Sequence, residues 1–164
     1  MVAAVYPGSF DPITLGHIDI IRRVSVVFSQ LTVLVANSIE KNYLFSGEER
    51  KKLIESSLGD LPNVRVEVFA GLTVDYLKST QHRVIIRGIR AVSDFESELV
   101  MANMNKILAP EIETMVVFAS PKYHYVASRV IKEVATHGGD LSSCLPEPVV
   151  KALASKLKKK NQKK

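Results

Sequence analysis

A histidine at the mouth of a helix, preceded by a loop rich in Gly and Pro, is the first arrangement along the chain that could do chemistry. Val2 to Ile21 reads VAAVYPGSFDPITLGHIDII: an apolar run to Tyr6, a break at Pro7-Gly8, then Ser9-Phe10-Asp11-Pro12, and a restart after Thr14-Leu15-Gly16-His17. A buried strand, tight loop and helix start present unpaired backbone N–H groups and the positive end of a helix dipole, a natural seat for phosphate. Cations recur in later loops at Lys41, Arg87, Arg90, Lys122 and Arg129. A cationic rim around a glycine loop suits a multiply phosphorylated ligand, and phosphate is the partner a guanidinium fits best. The residues alone leave plainer readings open: His17 as a structural hydrogen-bonding group, Lys41 as a solvated side chain, Arg87 and Arg90 in salt bridges, and the loop as an ordinary strand-to-helix connection.

Other constellations are weak. The chain has no GxxxxGK[ST] loop, no GxGxxG fingerprint and no GxSxG elbow. His17, His82, His124 and His137 lack metal-ligand spacing, so no protein-held metal is expected. Glu96 and Glu98 are the carboxylates available for acid/base work, and Met101 and Met104 read as core or subunit contact.

The elements that must position these residues alternate strand and helix. Apolar runs at Val2–Tyr6, Leu31–Ala36, Val64–Phe69, Val84–Ile86 and Thr114–Ala119 predict five strands. Between them, Ile20, Ile21, Val24, Val27 and Phe28 mark one buried helical stripe, and Val100, Met101, Met104, Ile107 and Leu108 another. Ser46 with Glu49, and Ser93 with Glu96, read as capping boxes; Gly59 and Pro62 stop the helix that Ser46 starts. A short helix is expected over Val74–Ser79. Another carries Val126, Val130, Ile131 and Val134 to Gly138-Gly139, and a last one spans Pro146–Leu157. Short connections throughout predict an α/β fold with a Rossmann-like, doubly wound five-stranded parallel sheet in one domain. Ligands bind beyond the carboxyl ends of such strands, which is where the cationic loops fall.

The 164 residues suffice for one core without disulfides. A lone Cys144 excludes an intrachain disulfide and suits a reducing cytosol, and no signal peptide or membrane-spanning run is read. The net charge of +5 invites a nucleic-acid reading. Six of the lysines, however, lie at Lys156, Lys158, Lys159, Lys160, Lys163 and Lys164, and without them the chain is nearly neutral. The expected organisation is therefore a domain over 1–157 and a basic, unstructured tail over 158–164, with neither nucleic acid nor membrane as partner.

Tyr6-Pro7-Gly8-Ser9-Phe10-Asp11-Pro12 with Thr14-Leu15-Gly16-His17 resembles the [ST]xGH signature of the nucleotidyltransferase superfamily. Together with Phe45-Ser46 through Arg50, Arg87-Gly88-Ile89-Arg90, Ser93-Asp94-Phe95-Glu96 and Lys132-Glu133-Val134-Ala135, it resembles the bacterial pantetheine-phosphate adenylyltransferases, over nearly the whole chain to Leu157. The resemblance implies reversible adenylyl transfer from ATP, accompanied by Mg2+, to 4′-phosphopantetheine. The products are dephospho-CoA and pyrophosphate, and no covalent intermediate forms. It further implies a cytoplasmic homohexamer. By the same resemblance His17, Lys41 and Arg90 are catalytic, with His17 stabilising the transition state. ATP meets Ser9, Phe10, His17, Gly88, Ile89, Arg90, Glu98 and the loop Tyr123, His124, Tyr125, Val126, Ala127, Ser128 and Arg129. Phosphopantetheine meets Ser9, Lys41, Thr73 and Arg87. Two positions depart from the pattern: Val126-Ala127-Ser128-Arg129 replaces a run of hydroxyls, and Ser97 stands where tyrosine is usual. The rival expectations are a sibling enzyme acting on nicotinate mononucleotide or a phosphorylated alcohol, and a non-catalytic nucleotide- or RNA-binding protein acting through the lysine tail.

Overall fold

In the computed structural model, which describes residues 2–38 and 42–161 (159–161 by backbone only), the period-2 pattern of each strand divides its side chains between two faces. β1 (Ala3–Gly8) sends Ala4 and Tyr6 to one face and Val5 to the other; Val33 and Val35 oppose Leu34 on β2 (Gln30–Ala36) in the same way. With β3 (Val64–Phe69), β4 (Val84–Ile89) and β5 (Glu113–Phe118) they form one parallel sheet in the order β3-β2-β1-β4-β5. Val5 pairs with Ile85 where β1 meets β4. The chain winds outward through β2 and β3, then returns to the far side of β1 for β4 and β5. Beyond the carboxyl ends of β1 and β4 there is consequently a crevice, the switch point where doubly wound sheets bind ligands.

The larger core lies under α1 (Leu15–Ser25), α2 (Gly47–Leu58), α5 (Ser128–Thr136) and α6 (Glu147–Asn161). The smaller lies under α3 (Thr73–Thr80), where Val74, Tyr76 and Leu77 meet Val5, Leu34 and Ile85. The Ser46 box forms as expected: the Ser46 hydroxyl accepts from Glu49 N at 3.2 Å and the Glu49 carboxylate accepts from Ser46 N at 2.7 Å. Lys156 of α6 donates to the same carboxylate at 2.6 Å, so this cap also staples two helices. Ser46→Ala should lower stability by about 1 kcal/mol, the usual cost of an N-cap, read as a shifted denaturant midpoint. α2 ends at Gly59, whose φ of 71° favours glycine.

Several boundaries differ from the sequence reading for local reasons. β4 runs on to Ile89, three residues beyond Ile86, because Arg87–Ile89 continue the ladder with β5. α1 stops at Ser25, which leaves Val27, expected on its stripe, 74 % exposed. The Ser93–Glu96 box is absent: α4 (Val92–Leu108) begins one residue before Ser93, and Asp94 instead accepts the Arg90 N–H at 3.0 Å. Val126 precedes α5 yet is buried, while Val130 faces outward. α6 continues through Asn161, past the expected end at Leu157, since lysine is a good helix former and cations suit a helix C-terminus. The largest departure is α4. None of its residues is buried, and the stripe of Val100, Met101, Met104, Ile107 and Leu108 is exposed alongside Met115, Val116 and Phe118 of β5.

Candidate active site

The crevice holds a cleft of about 320 Å³, bounded by the loop after β1, the start of α1, the end of β4, one face of α4 and the start of α5. Its floor is shaped by backbone. Phe10 adopts a φ of 46° and is buried, its ring edge-on to Tyr6 and His17. A Cβ on Gly8 would come within 2.8 Å of the Phe10 ring, and one on Gly88 within 2.5 Å of Ile20. A side chain at either position would collide with these neighbours, so both close approaches require glycine.

His17 is set by an unusual capping box. Thr14 is the N-cap of α1, its hydroxyl accepting from His17 N at 3.3 Å, and Nδ1 of His17 accepts the Thr14 backbone N–H at 3.1 Å. A histidine thus fills the place a Glu or Gln normally takes in this motif. Because Nδ1 is an acceptor, the proton of the neutral ring sits on Nε2, which has no hydrogen-bond partner among the described residues and can donate. Burial first, then the charges of Arg90 and Arg87, push the imidazole pKa down from 6.5 to about 4. At neutral pH the site therefore presents an uncharged N–H donor.

Two arginines close β4 and are held by two carboxylates one turn apart on α4. Arg87 pairs with Glu98 through Nε and Nη2 and donates to Pro7 O at 2.7 Å. Arg90 pairs with Asp94 at 3.0 and 3.1 Å and donates to Val126 O at 3.0 Å, tying β4 to the loop before α5. Burial alone would raise the Asp94 pKa, but hydrogen bonds from the Arg90 side chain and backbone hold it below the usual carboxylate range. Ser128 donates to Pro12 O at 2.9 Å, joining the start of α5 to the first loop. Arg129 lines the cleft with no hydrogen bond or ion pair among the described residues.

Of the residues singled out from sequence, Ser9, Phe10, His17, Arg87, Gly88, Arg90, Glu98, Val126, Ala127, Ser128 and Arg129 converge on this cleft. Others do not line it. Ile89 points into the core, Tyr123 packs against Gly16, His124 Nε2 lies 3.2 Å from Ala119 O, Tyr125 is exposed, and Thr73 begins α3. Lys122 lies over the Tyr123 ring. Lys41 falls outside the described residues. Sequence reasoning gave no role to Asp94, which carries Arg90, nor to Arg50 and Asp11, which are buried beneath the loops. An i, i+4 pair of carboxylates facing two arginines was the available signal for the first.

Residues 5–134 match the cytidylyltransferase-like family. The chain is 56 % identical over 156 residues to the phosphopantetheine adenylyltransferase of Bdellovibrio bacteriovorus, covering 95 % of this chain and 98 % of that one. The chain belongs to the phosphopantetheine adenylyltransferase family. The Levilactobacillus brevis member is 49 % identical, with 96 % of this chain and 98 % of its own covered. Among solved structures, a putative nicotinate-nucleotide adenylyltransferase from Vibrio parahaemolyticus superposes with a TM-score of 0.67 at 19 % identity, over 93 % of this chain and 91 % of that one. A bifunctional NMN adenylyltransferase/ADP ribose pyrophosphatase from Francisella tularensis, complexed with AMP and a Mn ion, gives 0.70 at 17 %, over 94 % and 48 %. These two likenesses show a shared fold; the close relatives establish the family.

Proposed function

We infer that this chain transfers the adenylyl group of ATP to 4′-phosphopantetheine, forming dephospho-CoA and pyrophosphate. The observation that carries the reading is the neutral Nε2–H donor of His17 facing the same cleft as Arg87 and Arg90, in a chain so close to proteins named for that activity. A phosphate oxygen of the acceptor attacks the α-phosphorus of ATP, a P–O bond forms there, and the bond to the bridging oxygen of the departing pyrophosphate breaks. The nucleophile is already an anion at neutral pH, so no general base and no covalent intermediate are needed. Rate comes from positioning and from stabilising charge on the α-phosphate in line with attack. His17 donates to that phosphate. Arg90, with Ser9, Phe10, Gly88 and the start of α5, holds the nucleotide, and Arg129 takes the place of hydroxyl donors to the triphosphate. Arg87 and Lys41 serve the acceptor. Glu98 acts through its hold on Arg87, a partnership that joins residues expected at different substrates.

Asp94 and Glu98 are both engaged by arginines, and the described residues offer no cluster of ligands for a protein-held metal. This donor set fits Mg2+ that would arrive with ATP rather than be held by protein carboxylates, and that would supply charge neutralisation. Self-association, as a homohexamer, accounts for the apolar surface of α4 and β5, where Val100 is 66 %, Ile107 74 % and Phe118 70 % exposed in the single chain. No described helix is long and apolar enough to cross a membrane; the reading places the activity in the cytoplasm.

The test is pyrophosphate release from ATP and Mg2+ with phosphopantetheine, beside parallel reactions with nicotinate mononucleotide. Turnover is expected with the first acceptor only. Turnover with the mononucleotide alone would assign the chain to the sibling chemistry. Light scattering on the same sample should give six chain masses.

A further inference from the structure

Arg50 is a fully buried cation with no ion pair among the described residues, although the charge of Asp11 acts on it without direct contact. It rises from the first turn of α2, is 0 % exposed, and is among the largest completely enclosed side chains of the fold. A guanidinium is costly to bury, and a buried one ordinarily sits against Asp or Glu. Here each of the three nitrogens donates to a neutral acceptor. Nε reaches Phe45 O at 3.1 Å and Ser46 O at 3.3 Å. Nη1 reaches Ser9 O at 2.7 Å and Ala36 O at 3.0 Å, and Nη2 reaches the Asn37 side-chain oxygen at 2.7 Å. The Tyr43 ring lies 4.0 Å from the guanidinium carbon. The fork therefore ties together three separate segments: the loop after β1, the end of β2, and the turn at 43–46 that leads into α2.

Asp11 ties two of those segments in the opposite sense. It lies two residues beyond Ser9 and is 2 % exposed. Its carboxylate accepts the Leu44 N–H at 2.9 Å, the Phe45 N–H at 3.0 Å and the Lys132 ammonium of α5 at 2.9 Å. The first loop and the 43–46 turn are thus joined twice, by a cation reaching carbonyls and by an anion reaching N–H groups. Above the join, a recess of about 280 Å³ bordered by Ser9, Asp11, Asn42, Tyr43, Arg129 and Lys132 adjoins the main cleft through Ser9 and Arg129. An apolar side chain of similar volume would fill the Arg50 site with a smaller desolvation penalty. It could not fix the position of the Ser9 carbonyl relative to Asn37 and Phe45.

We propose that Arg50 is a positioning residue for the acceptor side of the reaction, holding Ala36-Asn37 at the end of β2 and the 43–46 turn in register with the Ser9–Phe10 loop so that the two substrates meet at the right separation. The naming of the substrates rests on the adenylyl-transfer reading; the coupling of the two loops does not. Arg50→Lys keeps the charge but removes the fork. It should raise KM for phosphopantetheine about tenfold or more, the scale of one lost charge-assisted hydrogen bond. KM for ATP should stay within about threefold, a split that simple loss of folded protein does not produce. Asn37→Ala removes only the Nη2 acceptor and should shift the same constant in the same direction, less steeply, should the lysine variant fold poorly. Amide hydrogen exchange on the free protein supplies a readout independent of turnover: the Leu44 and Phe45 amides, bonded to Asp11, should lose protection in Arg50→Lys. KM values that stay unchanged, or rise equally for both substrates, would overturn the proposal, as would increased exchange confined to α2. If the unmodified protein fails to turn over phosphopantetheine, the activity reading falls, and the exchange experiment still decides whether Arg50 couples the loops.

Discussion

His17→Ala is expected to lower kcat by about a hundredfold or more, the scale of removing one preorganised donor to a transition state, while KM for ATP changes little. The argument rests on where the ring's single proton lies. Thr14 N–H occupies Nδ1, so Nε2–H faces outward as a donor that needs no reorganisation when charge grows on the α-phosphate. The variant also gives up part of the α1 cap, a loss of about 1 kcal/mol, which a melting curve separates from the rate effect. Turnover within a few-fold of the parent would remove His17 from the mechanism. The depressed pKa, about 4 against 6.5, has its own consequence. Between those values the unfolded chain binds the proton that the folded chain refuses, so stability contributed by neutral His17 is complete above about pH 6.5 and is lost as pH falls through about 4. No rate change from this residue should appear near neutrality.

Much of this was readable from periodicity, because β1 and β2 are buried and their apolar runs have no other use. The cleft followed from placing cationic loops after strands of a parallel sheet. What could not be read was whether an apolar stripe faces the chain's own core. Val100, Met101 and Met104 repeat at helical spacing as faithfully as Ile20, Ile21 and Val24, yet the first three are exposed and the second three are buried. Spacing reports that a face is apolar and does not say what covers it. The capping residues misled for a related reason. Ser93 and Glu96 satisfy a box by type, but Arg90 draws Asp94 onto its own N–H and side chain, and the helix starts around that pair. A charge partner four residues back outweighed the capping signature. Arg50 was hidden in the same way, since a lone arginine among Glu48, Glu49, Lys51 and Lys52 has the composition of a solvated helix face.

Arg90→Met should cost about a hundredfold in kcat/KM, because on the proposed mechanism it removes both a charge beside the phosphates and a strut of the site. The side chain reaches Val126 O from the end of β4, so its loss frees the segment that leads into Ser128 and Arg129. It also unpairs Asp94, whose pKa should rise toward the ordinary carboxylate range once the arginine hydrogen bonds are gone. The more discriminating consequence falls on His17. Arg90 is the second cause of its low pKa, after burial and ahead of Arg87. Removing a nearby positive charge stabilises the imidazolium, so the pKa must move up from about 4, yet stay below 6.5 because burial and Arg87 remain. Protonation adds a hydrogen to Nδ1, which then confronts the Thr14 N–H it formerly accepted, and the ring loses the orientation that aims Nε2. An NMR titration of the His17 ring in both proteins reads the shift directly, and the acid limb of the rate profile should move to higher pH with it. A rate loss with no movement of the histidine would leave Arg90 as a phosphate anchor alone. A moved histidine with an unchanged rate at neutral pH would reduce Arg90 to an electrostatic support for His17 and exclude it from the phosphate site.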